Sequence, residues 1–149
     1  MMHVLPLVAA FLLIFHHFGR GLIYGRLYDS RPLELVGVAM TLAGHSLAVW
    51  ARVHLGRYWS GMITLKEDHE LIRTGPYRWA RHPIYSGFLL AVLGSAIAAG
   101  TGDAFIGFGL ILIALLIKMR REEALMTREF GEQYQRFRRE VAALVPFVY

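Results

Sequence analysis

The chain has 149 residues, 56% of them hydrophobic, with a mean hydropathy of +0.43. That length suits one domain, and the hydropathy exceeds that of an ordinary soluble domain. The sequence has no cysteine, which excludes a disulfide framework, a thiolate nucleophile and a thiolate metal site. A formal net charge of +5 and a pI near 9.9 raise nucleic acid as a partner. The basic residues, however, lie between the apolar runs, as they do when Lys and Arg orient a membrane protein, so the expected partner is the lipid bilayer and no nucleic acid.

Spanning helices need about 20 largely apolar residues. The first apolar run, Val4–Phe18, is short and ends in His16-His17. It lacks the basic start and the small-residue cleavage site of a signal peptide. A linker, Gly19–Pro32, follows with Arg20, Arg26 and Arg31. If four spans alternate, this linker lies outside, where three arginines are out of place. Leu33–Val53 is a clear span. Arg52–Arg81 is a basic loop, expected on the cytoplasmic side. Ile84–Gly100 and Ala104–Met119 form a helical hairpin around the turn Gly100–Asp103, which has no basic residue. Pro83 can open the first arm and Asp103 can cap the second. Gly107 and Gly109 in "GFGL" read as helix-packing glycines. The tail from Lys118 to Tyr149 is charged. Tyr134, Phe137, Val141 and Leu144 recur at helical spacing there, so an amphipathic helix is expected on the membrane surface or folded back over the loop.

The stretch "RTGPYRWARHPIYSG", Arg73–Gly87, places Tyr77, Arg78, Arg81, His82 and Tyr85 on a rigid turn that enters a span. Polar, non-helical backbone at membrane depth must be buried in protein or line a cavity. "KMRREEAL", Lys118–Leu125, puts Lys118 and Glu122 on one helical face, with Glu123 beside them. Either cluster can be ordinary: Trp79 an interfacial anchor, the carboxylates a solvated juxtamembrane helix.

Together the two clusters carry a resemblance. "HELIRTGPYRWARHPIYSG", a helical hairpin, then "EEALMTREFGEQYQRFRREVAALVPF" resembles the isoprenylcysteine carboxyl methyltransferase family, related to the phospholipid methyltransferases, over about Leu55–Phe147. Before that stretch only hydropathy matches. The resemblance implies an all-α integral membrane bundle of about four transmembrane helices, with a cytosolic cofactor-binding loop and a C-terminal amphipathic helix. It also implies one domain over 1–149, with N-terminal helices over 1–54 and a catalytic core over 55–149. The implied cofactor is S-adenosyl-L-methionine, with His69, Glu70, Leu71, Ile72, Tyr77, His82, Pro83, Ile84, Tyr85 and Glu122 around it. His82, Glu123, Lys118 and Arg121 are the expected catalytic residues. The family's substrate-contacting arginine, one turn before the glutamate, is Lys118 here. Lys cannot grip a carboxylate bidentately, which counts against a prenylcysteine carboxylate as the acceptor. The acceptor is expected to be apolar and to reach the site from the membrane, as a lipophilic small molecule or a prenylated substrate of open identity. Three other readings stand beside this one. His16, His17, His45 and His54 can serve a haem or metal membrane protein. A relative can have lost or changed its reaction. A structural or transport subunit would not need both polar clusters.

Overall fold

The structure, a computed structural model, describes residues 25–56 and 71–145. The run Val4–Phe18, His16, His17, His69 and Glu70 lie outside the described residues. The described chain is helical: α1 Arg31–Leu55, a 3-10 turn Gly75–Arg78, α2 Pro83–Ala99, α3 Gly102–Phe130 and α4 Glu132–Glu140. At about 1.5 Å per residue, α1 and α3 are each longer than the roughly 30 Å hydrocarbon layer. Both are apolar enough to cross it, and α2 is a shorter apolar helix. The helices assemble as a membrane bundle. Leu42, Val49 and Val53 of α1, with Ile113 and Ile117 of α3, point their side chains outward, as lipid-facing positions do.

The contact between α1 and α2 explains why large residues face out and small ones face in. Gly37 and Gly44 of α1 lie against Gly94 and Gly87 of α2, seven residues apart on each helix. A Cβ on Gly44 would come within 2.4 Å of the Ala91 backbone nitrogen, and one on Gly37 within 2.5 Å of that of Ala98. In lipid, where no hydrophobic force drives helices together, such close approach supplies the packing. Thr41 adds a polar tie, donating to the carbonyls of Gly37 (2.9 Å) and Ala91 (3.2 Å). Among the described residues, these four glycines make the α1–α2 contact. Gly107 is buried in α3 as expected, but Gly109 faces open space.

Pro83 opens α2 and Gly100 ends it in the left-handed conformation, φ 64°, which suits a residue without Cβ. The cap of α3 is Thr101, whose hydroxyl accepts from the Ala104 amide at 3.4 Å. Asp103 sits inside the first turn and does not cap, although its charge still complements the positive helix end. The segment before α1 reaches this turn: the Leu27 amide donates to the Gly100 carbonyl (2.8 Å), and Tyr28 to that of Ile97 (2.6 Å). This end of the linker thus lies with the hairpin turn, opposite the basic loop. Its arginines are offset locally, Arg26 by Asp29 at 3.3 Å and Arg31 by Glu34 at 3.2 Å.

α3 continues well past Met119, because "RREEALMTREF" is rich in helix formers. Gly131, φ 51°, then turns the chain into α4. Tyr134, Phe137 and Val141 pack on Leu71, Met126 and Phe130, so the tail folds back over the loop.

Candidate active site

The polar residues of the loop and those of α3 meet at the end of the bundle where α4 docks. Pro83 fixes the start of α2, and one turn in, the Tyr85 ring stacks parallel to His82, 5.5 Å between centroids and 5° between planes. The Tyr85 hydroxyl donates to Glu122 Oε1 at 2.6 Å. Lys118 Nζ lies 3.8 Å from the same oxygen and 5.5 Å from the Tyr85 ring centroid. His82 Nδ1 is 3.8 Å from Glu122 Oε2. Glu122 therefore joins α2 to α3 while part of its carboxylate remains open to an incoming group.

Its neighbour Glu123 is placed differently. Glu123 Oε1 accepts from Arg81 Nε at 2.8 Å and lies 2.7 Å from Arg81 Nη2. His82 Nε2 is 3.3 Å from that oxygen, and Arg138 Nε is 3.5 Å from Oε2. The Arg81 and Glu123 side chains are 8% and 11% exposed, so the pair is nearly dry. Arg81 Nη1 also donates to the carbonyls of Arg138 and Val141. Adjacent carboxylates thus face two environments: Glu122, 20% exposed, sits between Tyr85, Lys118 and His82, whereas Glu123 is nearly buried against Arg81, with Arg138 at its edge.

Tyr77 is buried on the side of α1. Its hydroxyl reaches the Ala51 carbonyl at 3.4 Å, and its ring stacks on His54 at 6.4 Å. Burial raises its pKa well above the ordinary tyrosine value, so the hydroxyl stays protonated. Burial acts on Tyr134 in the same direction. Trp79 is exposed, edge-on to Trp50 at 6.0 Å with Arg78 over its face at 5.5 Å, as at a membrane interface.

Of the residues expected from the sequence, His82, Tyr85, Lys118, Glu122 and Glu123 come together. Pro83 and Ile84 shape the helix entry. Leu71 packs under Tyr134 and Phe137, Ile72 follows it, and Arg121 is exposed on α3 one turn from Lys118. Arg81, which the sequence placed on the polar turn without giving it a part in the site, binds Glu123 and the tail. Only its position beside His82 hinted at this. His45 bonds its own helix at the Thr41 carbonyl (2.9 Å) and His54 bonds Thr74 (2.9 Å), so both serve protein hydrogen bonds.

Comparison with known proteins shows the family and the fold of the chain. The isoprenylcysteine carboxyl methyltransferase (ICMT) family description matches residues 37–128. That match starts inside α1, earlier than the motif resemblance at Leu55, so part of the N-terminal third also carries family sequence. A probable protein-S-isoprenylcysteine O-methyltransferase of Oryza sativa subsp. indica is 29% identical over 135 residues, 89% of this chain and 71% of that protein. A protein-S-isoprenylcysteine O-methyltransferase of Schizosaccharomyces pombe is 31% identical over 70% of this chain and 46% of its own length. The solved structure of the eukaryotic intramembrane Ras methyltransferase ICMT shares the fold, with a TM-score of 0.74 at 22% identity, over 99% of this chain and 53% of that one. This chain thus spans about half the length of that solved protein.

Proposed function

The chain belongs to the isoprenylcysteine carboxyl methyltransferase family, and from that premise we propose that it transfers a methyl group from S-adenosyl-L-methionine to a lipophilic acceptor held in the bilayer. The observation that carries the reading is Glu122: a partly open carboxylate oriented by the Tyr85 hydroxyl, beside His82 and Lys118.

The donor set fits such a cofactor. Glu122 has acceptor capacity for ribose hydroxyls, and the stacked His82 and Tyr85 rings offer flat faces to a base or a cation. When bound, S-adenosyl-L-methionine supplies an electrophilic methyl group on a sulfonium. The chain's own residues hold and align the reactants and keep water out, and such positioning can lower a barrier by up to about 7–11 kcal/mol. A carboxylate acceptor needs no base. An amine, thiol or hydroxyl acceptor needs one, and His82 is the residue in reach of the Glu122 site. Lys118 offers a point charge to an anionic acceptor, without the two-pronged grip of arginine. The loop and tail, rich in Lys and Arg, face the cytoplasm in this reading, where the soluble cofactor is found.

Calorimetry with S-adenosylhomocysteine on the detergent-purified protein tests the proposal. Binding is expected in the wild type and is lost in Glu122→Gln and His82→Ala. A folded wild type that does not bind would remove the methyltransferase reading.

A further inference from the structure

Arg81 and Glu123 form more than a buried ion pair. Three chain segments converge on them: the loop before α2, the last turns of α3, and the stretch after α4. The Arg81 amide donates to the Ala142 carbonyl at 2.8 Å, and the His82 amide to that of Ala143 at 3.0 Å. Ser86 Oγ donates to the Leu144 carbonyl at 2.6 Å. Residues 142–144 therefore run as a strap along the outside of the loop that carries His82. The guanidinium of Arg81 fastens the chain leading into the strap from within, through the carbonyls of Arg138 at the end of α4 and of Val141, while its other edge holds Glu123. Glu123 Oε1 in turn contacts His82 Nε2, and the opposite nitrogen of that ring faces Glu122.

We propose that Glu123 and Arg81 are positioning residues that couple docking of the 142–144 strap to cofactor binding at Glu122, through the His82 ring. This rests on the methyltransferase reading for the identity of the ligand only; the strap and its coupling to the ring stand on the geometry. Glu123 does not act as a proton acceptor, because both Arg81 nitrogens already occupy the oxygen nearest His82. Without the carboxylate, Arg81 loses the anion that orients it, His82 keeps its stack on Tyr85 but loses the contact that holds its Nε2 edge, and the strap loses its inner fastening. Coupling between sites is reciprocal, so a ligand that needs His82 in place must also tighten the strap.

The test reads two quantities on the same protein: S-adenosylhomocysteine affinity by calorimetry, and amide hydrogen exchange at Arg81 and His82, with and without that ligand. In the wild type the ligand should slow exchange at both amides. Glu123→Gln keeps size and shape; it should weaken affinity by about tenfold, within the usual roughly 5–150-fold of coupled sites, and speed exchange at both amides even without ligand. Ser86→Ala loosens the strap from its outer side, away from the ligand, and should lower affinity by a smaller factor with the same change in exchange. Wild-type affinity and protection in Glu123→Gln would overturn the proposal. So would lost affinity with both amides still protected and still responsive to ligand, since Glu123 would then touch the ligand directly. If Glu123→Gln does not fold, the same two readouts on Ser86→Ala decide, and unchanged affinity there overturns the coupling. A wild type that does not bind the ligand sinks the functional reading, while ligand-free exchange in Glu123→Gln still decides whether Glu123 holds the strap.

Discussion

Tyr85 uses its two ends differently: the ring stacks on His82, and the hydroxyl orients Glu122. Tyr85→Phe separates them. A hydrogen bond to a charged group contributes about 1.5–3 kcal/mol, so this variant should bind S-adenosylhomocysteine about ten- to a hundredfold more weakly at unchanged helicity, as calorimetry and circular dichroism would show. Tyr77 and Tyr134 give a prediction at alkaline pH. Burial raises both above the ordinary tyrosine value. The unfolded chain then loses those protons first, so their contribution to stability is intact below about pH 10 and falls as pH rises beyond it. Phenolate absorbance should stay below the full tyrosine count until the protein unfolds. Much of this site was legible in the sequence, because Tyr85, His82 and Glu122 sit in motifs whose spacing survives folding. The role of Arg81 was not: the sequence placed it on the polar turn, but as one basic residue among several. What distinguishes it is burial, and its burial depends on residues 138 and 141, far along the chain.

Among the helices, the α1–α2 contact is set by backbone rather than side chains. Gly44→Ala would drive a Cβ to within 2.4 Å of the Ala91 nitrogen, an atom that cannot rotate away. The helices must part, and a loss of about 1–3 kcal/mol is expected. Gly109→Ala meets nothing within 4 Å and removes a flexible residue from a helix interior, so it should be neutral or stabilise by up to about 1 kcal/mol. Thermal unfolding of the two variants in one detergent compares them directly. Hydropathy marks spans well, since it sums over a whole segment. It does not say which glycines face a neighbour: "GFGL" drew the eye, while Gly37, Gly44, Gly87 and Gly94 matter because they meet across two helices. The cap of α3 fell to Thr101 rather than Asp103 for a related reason, since a two-residue shift in where the chain becomes helical moves the cap with it. The strap had no sequence signal, because a pairing of Ala142 and Ala143 with Arg81 and His82 leaves no periodicity to read.

Across the whole molecule, charge is distributed by end. Among the described residues, 25–32 and the hairpin turn share one end, with Arg26 and Arg31 offset by Asp29 and Glu34; residues 71–82 and α4 share the other. The cysteine-free sequence allows a direct check of orientation. A membrane-impermeant maleimide should label Asp29→Cys from outside intact cells, and Arg78→Cys only once the cytoplasmic face is opened; the reverse pattern would invert the assignment. The placement of Arg81 also bears on biogenesis. Arg81 leaves the ribosome 57 to 60 residues ahead of the carbonyls it will bind. During that interval the α2–α3 hairpin can insert and bring Glu123 to Arg81, but the guanidinium keeps its remaining donors hydrated at the headgroups until the Arg138 and Val141 carbonyls arrive. Closure of the site thus waits for residues 138–144, and a nascent chain that has not reached them resides in the membrane with the Arg81 end of the site unfastened.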